Sequence, residues 1–169
     1  MFSLPVVVEQ ELHEMTMLEC LQINIRDANR GDIPALLLMI KALARHHGDD
    51  ADVSAQSLTR DAFEDPPWIY IVVAEFEERI IGYAALCPLM QLQSSSRGID
   101  MHHLFIEEEH RGRGVGKQLI DGAISKARDL NCSYMMVGTS RRNTAAQAVY
   151  LSYGFKKRPQ SGAKFRIDI

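Results

Sequence analysis

Several features that would settle a protein's class at once are scarce or missing in this 169-residue sequence. Its three cysteines, Cys20, Cys87 and Cys132, are far apart, odd in number and lack any CxxC spacing. That pattern fits a reducing compartment better than a disulfide framework. The six histidines make no metal-ligand spacing with those cysteines, so no metal is expected. His46-His47 and His102-His103 are adjacent pairs, and neighbours on a regular strand point to opposite faces. No apolar run approaches the roughly 20 residues needed to span a bilayer, so no membrane partner is expected. A formal net charge of −3 lacks the basic surplus of a general nucleic-acid binder. The opening stretch MFSLPVVVEQELHEM has no basic n-region and meets acidic residues directly after a short apolar run, so it does not read as a signal peptide. Residues 1–20 read as a poorly ordered lead-in, with the cytoplasm as the expected location.

What is present is ordinary for a soluble globular chain: 46% hydrophobic and 24% charged residues, enough to close one core. A single domain is expected over 21–169. "LQINIR" (21–26) alternates like a half-buried strand, and Asp32 with Pro34 opens a helix striped by Leu36, Leu37, Ile40, Leu43 and Ala44. Ser54 starts a second, short helix that Pro66-Pro67 ends. "WIYIVVAEF" (68–76) and "RIIGYAALCPL" (79–89) make a hairpin across Glu77-Glu78, and "IDMHHLFIEE" (99–108) is a further strand. A long helix from about Gly114 carries Val115, Leu119, Ala123, Ile124, Ala127 and Leu130 at helical spacing, with Asn131 as a left-handed stop. "SYMMVGT" (133–139) reads as a strand and "NTAAQAVYLSY" (143–153) as a helix between an Asn cap and Gly154. "GFKKR" and "KFRIDI" read as two closing strands. The fold class is α/β (α+β): a mixed, largely antiparallel sheet flanked by helices.

The chemistry concentrates in "EEHRGRGVGK" (108–117). Gly112, Gly114 and Gly116 lie between a strand and a long helix, flanked by Arg111, Arg113 and Lys117. Bare N–H groups opening a helix attract anions, and glycine lets a ligand approach the backbone closely. The nucleotide P-loop pattern fails, because Gln118 follows Gly116-Lys117 and Arg111 stands where the first glycine belongs. The dinucleotide pattern GxGxxG fails as well, the spacing here being GxGxG. A tight strand-to-helix turn with no ligand is the alternative.

Arg111-Gly-Arg-Gly114-Val-Gly116 resembles the acetyl-CoA loop of the GNAT superfamily of N-acetyltransferases. A second stretch, "NTAAQAVYLSYGF" (143–155), is similar to that superfamily's N-x-x-A-x-x-x-Y…GF segment through Asn143, Ala146, Tyr150 and Gly154-Phe155. Within the superfamily the chain looks closest to diamine and polyamine acetyltransferase-like members, through "IKALARHH", "SLTRDAFEDPPWIYIVVAE" and "HLFIEEEHRGRGVG". The resemblance implies acetyl-CoA as co-substrate, with its pyrophosphate on Arg111, Gly112, Arg113, Gly114, Val115, Gly116 and Lys117. It implies that the pantetheine arm runs along Leu104, Phe105 and Ile106, with Asn143 touching it and Tyr150 near the thioester sulfur. By analogy with the family a homodimer is expected.

Asn143 and Tyr150, seven apart, share a helix face. A phenol with a pKa near 10 stays protonated at neutral pH and can give its proton to a departing thiolate, whose pKa is roughly 8.5. An amine with a pKa near 10.4 resists deprotonation at pH 7 by roughly 4.6 kcal/mol, which makes a base useful. Polyamine-type members carry a Glu-Asp pair where this chain has His102-His103. That departure makes His102 the candidate base and puts a polycationic acceptor in doubt. Tyr150 and His102 are therefore the candidate catalytic residues. Asp49, Asp50 and Asp52 lie in a loop where they could recruit a cation or simply be solvated, and Trp68 and Tyr70 read as core or interface residues.

The expected reaction is direct acetyl transfer to a primary amine of a small molecule, since no cysteine or serine is placed as a nucleophile. A backbone N–H of the 104–106 strand would stabilise the oxyanion. A non-catalytic acyl-CoA-binding module, and an acetyltransferase for protein N-termini or lysines, are the alternatives.

Overall fold

The computed structural model describes residues 22–158 and 165–167. The expected lead-in over 1–20 lies outside them. The described residues form two compact units, one up to Gly138 and one from Thr139 onward.

The first unit is built on a five-stranded sheet in the order β1-β2-β3-β4-β5. Its strands are β1 (Asn24–Asp27), β2 (Tyr70–Phe76), β3 (Arg79–Gln91), β4 (Ser96–Ile106) and β5 (Tyr134–Val137). Neighbours pair antiparallel except β4 and β5, which are parallel. The parallel pair needs a crossover, and helix α3 (Val115–Asp129) provides it. Glu77 and Glu78 turn the β2–β3 hairpin with φ of 48° and 62°, the backbone a two-residue turn of this hand demands.

Helices α1 (Ile33–His47) and α2 (Ala55–Phe63) bury Leu36, Met39, Leu43 and Leu58 in one cluster with Ile71, Val73, Ile80, Tyr83, Ala85 and Phe105. Helix α3 contacts every strand, burying Val115, Leu119, Ile120, Ala123 and Ala127. Gly122 permits that approach, because a Cβ there would run into Ile25 Cγ2 and meet Val72 Cγ1 at 3.1 Å. Asn131 leaves α3 with φ of 57°, the left-handed stop its side chain tolerates. The second unit carries α4 (Thr144–Tyr153).

This architecture is the mixed, largely antiparallel sheet that the sequence pattern implies. Three local expectations change. Ser54 caps α2 by accepting the Ser57 N–H at 3.1 Å, but Asp32 makes no side-chain cap to α1. Its carboxylate is taken by the Arg26 guanidinium at 2.7 and 2.9 Å and by the Asn29 N–H at 2.8 Å, a pairing across elements that outcompetes a local cap. Of the two readings of Trp68, core or interface, the core one falls, because Trp68 is 79% exposed and β2 begins only at Tyr70. The closing strands are not formed over 155–158 or 165–167. Lys156-Lys157-Arg158 sets three exposed charges in succession, offering no apolar face to bury. Residues 164, 168 and 169 of the second stretch lie outside the described ones.

Arg26 also donates to Glu75 at 2.7 Å, so one guanidinium neutralises two carboxylates where β1, β2 and the α1 entry meet. Hydrogen bonds from Arg26, and then from the Asn29 N–H, hold the Asp32 carboxyl below its ordinary range despite burial. A depressed folded pKa stabilises above the unfolded value near 3.9 and is lost as pH falls through the folded one. Arg26→Met should therefore cost about 2–4 kcal/mol at pH 7 by leaving Asp32 buried and unpaired. Urea unfolding of both proteins checks it, and the difference should shrink below about pH 4.

Candidate active site

The β3–β4 ladder runs Gly82↔Ile106, Tyr83↔Phe105, Ala84↔Leu104 and Ala85↔His103, then jumps to Leu86↔Met101. His102 is thus an extra residue in β4, a β-bulge, and a bulge resets which face the following side chains take. Beyond it Phe105 joins Tyr83 and Ala85 in the cluster beneath α1 and α2, to which Met101 does not belong. The expectation that His102 and His103 point apart is corrected by the same feature. Their rings stack at 4.7 Å with 20° between planes.

The two imidazoles differ in environment. His103 is half-buried, with Nδ1 2.9 Å from the hydroxyl of fully buried Tyr83. Burial, then the fields of His102 and of His47 at the end of α1, lower the His103 pKa to about 4. Burial also pushes the Tyr83 phenol well above its ordinary value. His102 is exposed, its Nδ1 3.8 Å from Asp100 Oδ2. Tyr83 did not stand out in the sequence, and His47 did so only as half of an adjacent pair. Tyr83 reads there as one more apolar strand residue, and the doubled polar pair in "MHHL" is the only trace of the bulge.

Past the bulge β4 also changes partners. Its parallel pairing with β5 extends from Gly98↔Tyr134 to Met101↔Val137 and stops. Leu104, Phe105 and Ile106 continue, paired to β3 alone. Their other edge offers backbone groups without a strand partner among the described residues.

The chain then makes a short 3-10 turn at Glu108–His110 and enters the glycine loop. Gly112 and Gly114 adopt φ of 74° and 80°, and a Cβ at either would meet nothing within 4 Å. Backbone conformation, not crowding, calls for glycine at both. Gly114 opens α3 with no side-chain cap, whereas Ser54 caps α2 and Asn143 caps α4. Val115 is buried and fixes the first turn, Gly116 lies 3.4 Å from Ile106 by its would-be Cβ, and Lys117 is exposed. With no acidic residue in that turn, its orphan N–H groups form an unopposed positive helix end. Arg111 is partly engaged, its Nε donating to Ile106 O at 3.0 Å with the guanidinium 6.0 Å over Phe105. Arg113 is exposed like Lys117, and neither forms an ion pair with a described residue.

In the second unit, Asn143 Oδ1 accepts the Ala146 N–H at 3.0 Å, so Asn143 serves α4 as its cap. Gly154, at φ of 114°, closes the helix, its N–H bonding Leu151 O and that of Phe155 bonding Tyr150 O. The Phe155 ring meets Tyr150 edge-on at 5.8 Å, and burial raises the Tyr150 pKa above its ordinary value. Tyr150, Gly154 and Phe155 thus form one local assembly at the C-terminal end of α4, with Asn143 at its other end.

Among the described residues, one group could hold a metal. Donor atoms of Glu107, Glu109 and His110 lie within 4.8 Å of one another. His110 Nδ1 is buried without a hydrogen-bond partner, so the ring lacks the second bond that usually orients a ligating histidine. Asp49, Asp50 and Asp52 are exposed.

The family described as "Acetyltransferase (GNAT) family" matches residues 37–155. Thialysine N-epsilon-acetyltransferase of Bos taurus is 26% identical over 142 residues, covering 78% of this chain and 83% of that protein. N-acetyltransferase 8 of Homo sapiens is 35% identical over 89 residues, 53% of this chain, and the match spans only 39% of that protein's length. An aminoglycoside N-acetyltransferase, AAC(6')-Iy, solved in complex with CoA, superposes with a TM-score of 0.73 at 23% identity, covering 86% of this chain and 95% of its own. No helix among the described residues is long and apolar enough to cross a membrane. A glycine loop that opens an uncapped helix, a strand that parts from its neighbour just before it, and a family match spanning both lead to one conclusion: the chain belongs to the acetyltransferase (GNAT) family.

Proposed function

We propose that the chain transfers the acetyl group of acetyl-CoA directly to the primary amine of a small-molecule acceptor, working in the cytoplasm as one domain over 21–169. The observation that carries this reading is the pairing of an uncapped α3 N-terminus with the unpaired β4 edge at Leu104–Ile106. The first suits a pyrophosphate, the second an extended arm rich in amides. Relatives named for thialysine and for L-methionine sulfoximine, and neighbours named as aminoglycoside acetyltransferases, support a small-molecule amine. Cys87 and Cys132 are free thiols, consistent with a reducing compartment.

In this reading the N–H groups of Gly112–Lys117 hold the pyrophosphate, with Arg111, Arg113 and Lys117 adding charge, and Asn143 contributes to holding the arm. A backbone N–H between Leu104 and Ile106 stabilises the oxyanion. His102 takes the amine proton, directly or through water. Tyr150, whose raised pKa keeps it protonated throughout the neutral range, donates to the leaving thiolate.

Calorimetric titration with acetyl-CoA tests the loop. Micromolar binding is expected, with about 2.7 kcal/mol of added stability at a hundredfold excess over Kd. Gly114→Val should weaken it by at least about tenfold, because valine resists a φ of 80°. An absence of acetyl-CoA binding to the parent chain would overturn the proposal.

His102→Gln should lower kcat/KM at pH 7 by about 10²-fold. The deficit should narrow toward pH 10, where the amine near its own pKa of about 10.4 supplies the free base without help. A deficit that stays constant with pH would remove His102 from the base role.

Tyr150→Phe should reduce kcat by about 10²-fold while leaving the Kd for acetyl-CoA within a factor of about three. An unchanged kcat in a single-turnover assay would exclude it as the proton donor.

A further inference from the structure

The mechanism above uses His102 and leaves its stacked neighbour without a task. His103 is tied to the one tyrosine that the core buries completely. The Tyr83 hydroxyl has no other hydrogen-bond partner among the described residues. Were Nδ1 of His103 to carry the ring proton and donate to that hydroxyl, the phenolic proton would be buried with no acceptor. The arrangement that satisfies both groups has Tyr83 donating to Nδ1, which places the ring proton on Nε2. Nε2 makes no hydrogen bond among the described residues, yet the sole buried, unpaired side-chain polar atom among them is His110 Nδ1. His103 Nε2 is therefore within reach of water or a ligand.

We propose that Tyr83 fixes His103 as the Nε2–H tautomer, and that this N–H, beside His102, binds a carboxylate or carbonyl oxygen of the acceptor. The site then favours amino-acid-like amines over bare diamines and polyamines. The claim about the acceptor rests on the acetyl-transfer reading for the identity of the site; the tautomer does not. Three titratable groups face the His103 ring: Tyr83 from β3, His102 from its own strand and His47 from α1. None is an acid that would welcome an ammonium group. Burial first, and then the fields of His102 and His47, keep the ring uncharged, so it offers an N–H without becoming a cation. Asp100, the nearest carboxylate to the pair in an ion contact, is on the His102 side at 3.8 Å. A second ammonium group on the acceptor finds no counter-charge at His103, whereas an oxygen finds a donor.

The test is long-range ¹H–¹⁵N NMR on the full chain labelled at histidine and saturated with CoA, from about pH 5 to 8. Matched pairs are titrated in: lysine against cadaverine, ornithine against putrescine, methionine against 3-methylthiopropylamine. His103 is expected to show the Nε2–H pattern throughout that range. The amino acids should shift its Nε2 resonance and bind at least about tenfold more tightly than their decarboxylated partners. Tyr83→Phe should mix the tautomers. His103→Leu should abolish the preference and His103→Gln, which keeps a side-chain N–H, should restore most of it. A proton on Nδ1, a cationic His103 at pH 6, or equal binding within the pairs overturns the inference. Failure to acetylate any of these amines, with the Nε2–H pattern and the carboxylate preference intact, would sink the acetyl-transfer reading and uphold the recognition role.

Discussion

One extra residue in β4, His102, governs how the rest of the site is arranged. Were His102 part of an unbroken alternation, Phe105 would share the face of Ile99 and Met101 and leave the cluster beneath α1 and α2. With it, the strand after the bulge turns His103 toward Tyr83 and brings both imidazole rings together. Bulges also increase local twist. The β4–β5 pairing ends at Met101, immediately before the bulge, and the free edge at Leu104–Ile106 begins just beyond it. The same residue thus coincides with the histidine pair and with the divergence of two parallel strands. Burial of Phe105 and the Tyr83–His103 hydrogen bond hold the bulge in place, since a slip of one residue would expose the first and break the second.

The glycine loop needs a different constraint, a helix that cannot retreat. Helix α3 presses five buried side chains onto the sheet, and Gly122 brings its axis close to Ile25 and Val72. A glycine inside a helix costs up to about 1 kcal/mol relative to alanine. Here close packing on the sheet offsets it. An uncapped N-terminus forgoes roughly another 1 kcal/mol that Ser, Asp or Asn would contribute. Ser54 and Asn143 cap α2 and α4, and at α1 the Asp32 carboxylate is spent on Arg26, whereas Gly114 has no side chain to offer at the end that an anion would occupy. Rigid packing behind and unsatisfied donors in front are what a preorganised anion cradle requires.

Much of this was legible because it is written in local chemistry. Element order followed from periodicity, and Ser54, Asn131, Asn143 and Gly154 marked their helix ends correctly because a cap is a contact within four residues. The loop itself was readable from glycines between basic residues. What failed was tertiary. Asp32 has the sequence context of a cap, but Arg26 reaches it from another element. Trp68 looked apolar enough for the core, but the strand starts two residues later. The bulge escaped because one inserted residue alters a period of two without changing composition. Tyr83 escaped with it, since its importance lies in a partner twenty positions away.

Two adjacent imidazoles would normally be redundant, and like charges at 4.7 Å would oppose each other's protonation. Unequal burial removes the conflict. His103, held near a pKa of 4, is uncharged across the physiological range, so a proton taken by His102 meets an uncharged neighbour. A pair of identical exposed histidines would resist that proton, and a pair of identical buried ones would refuse it. Environments that separate two chemically identical groups are how one site assigns them separate roles. Burial makes them differ, and Tyr83 of the core ties the buried one in place through the hydrogen bond to its Nδ1.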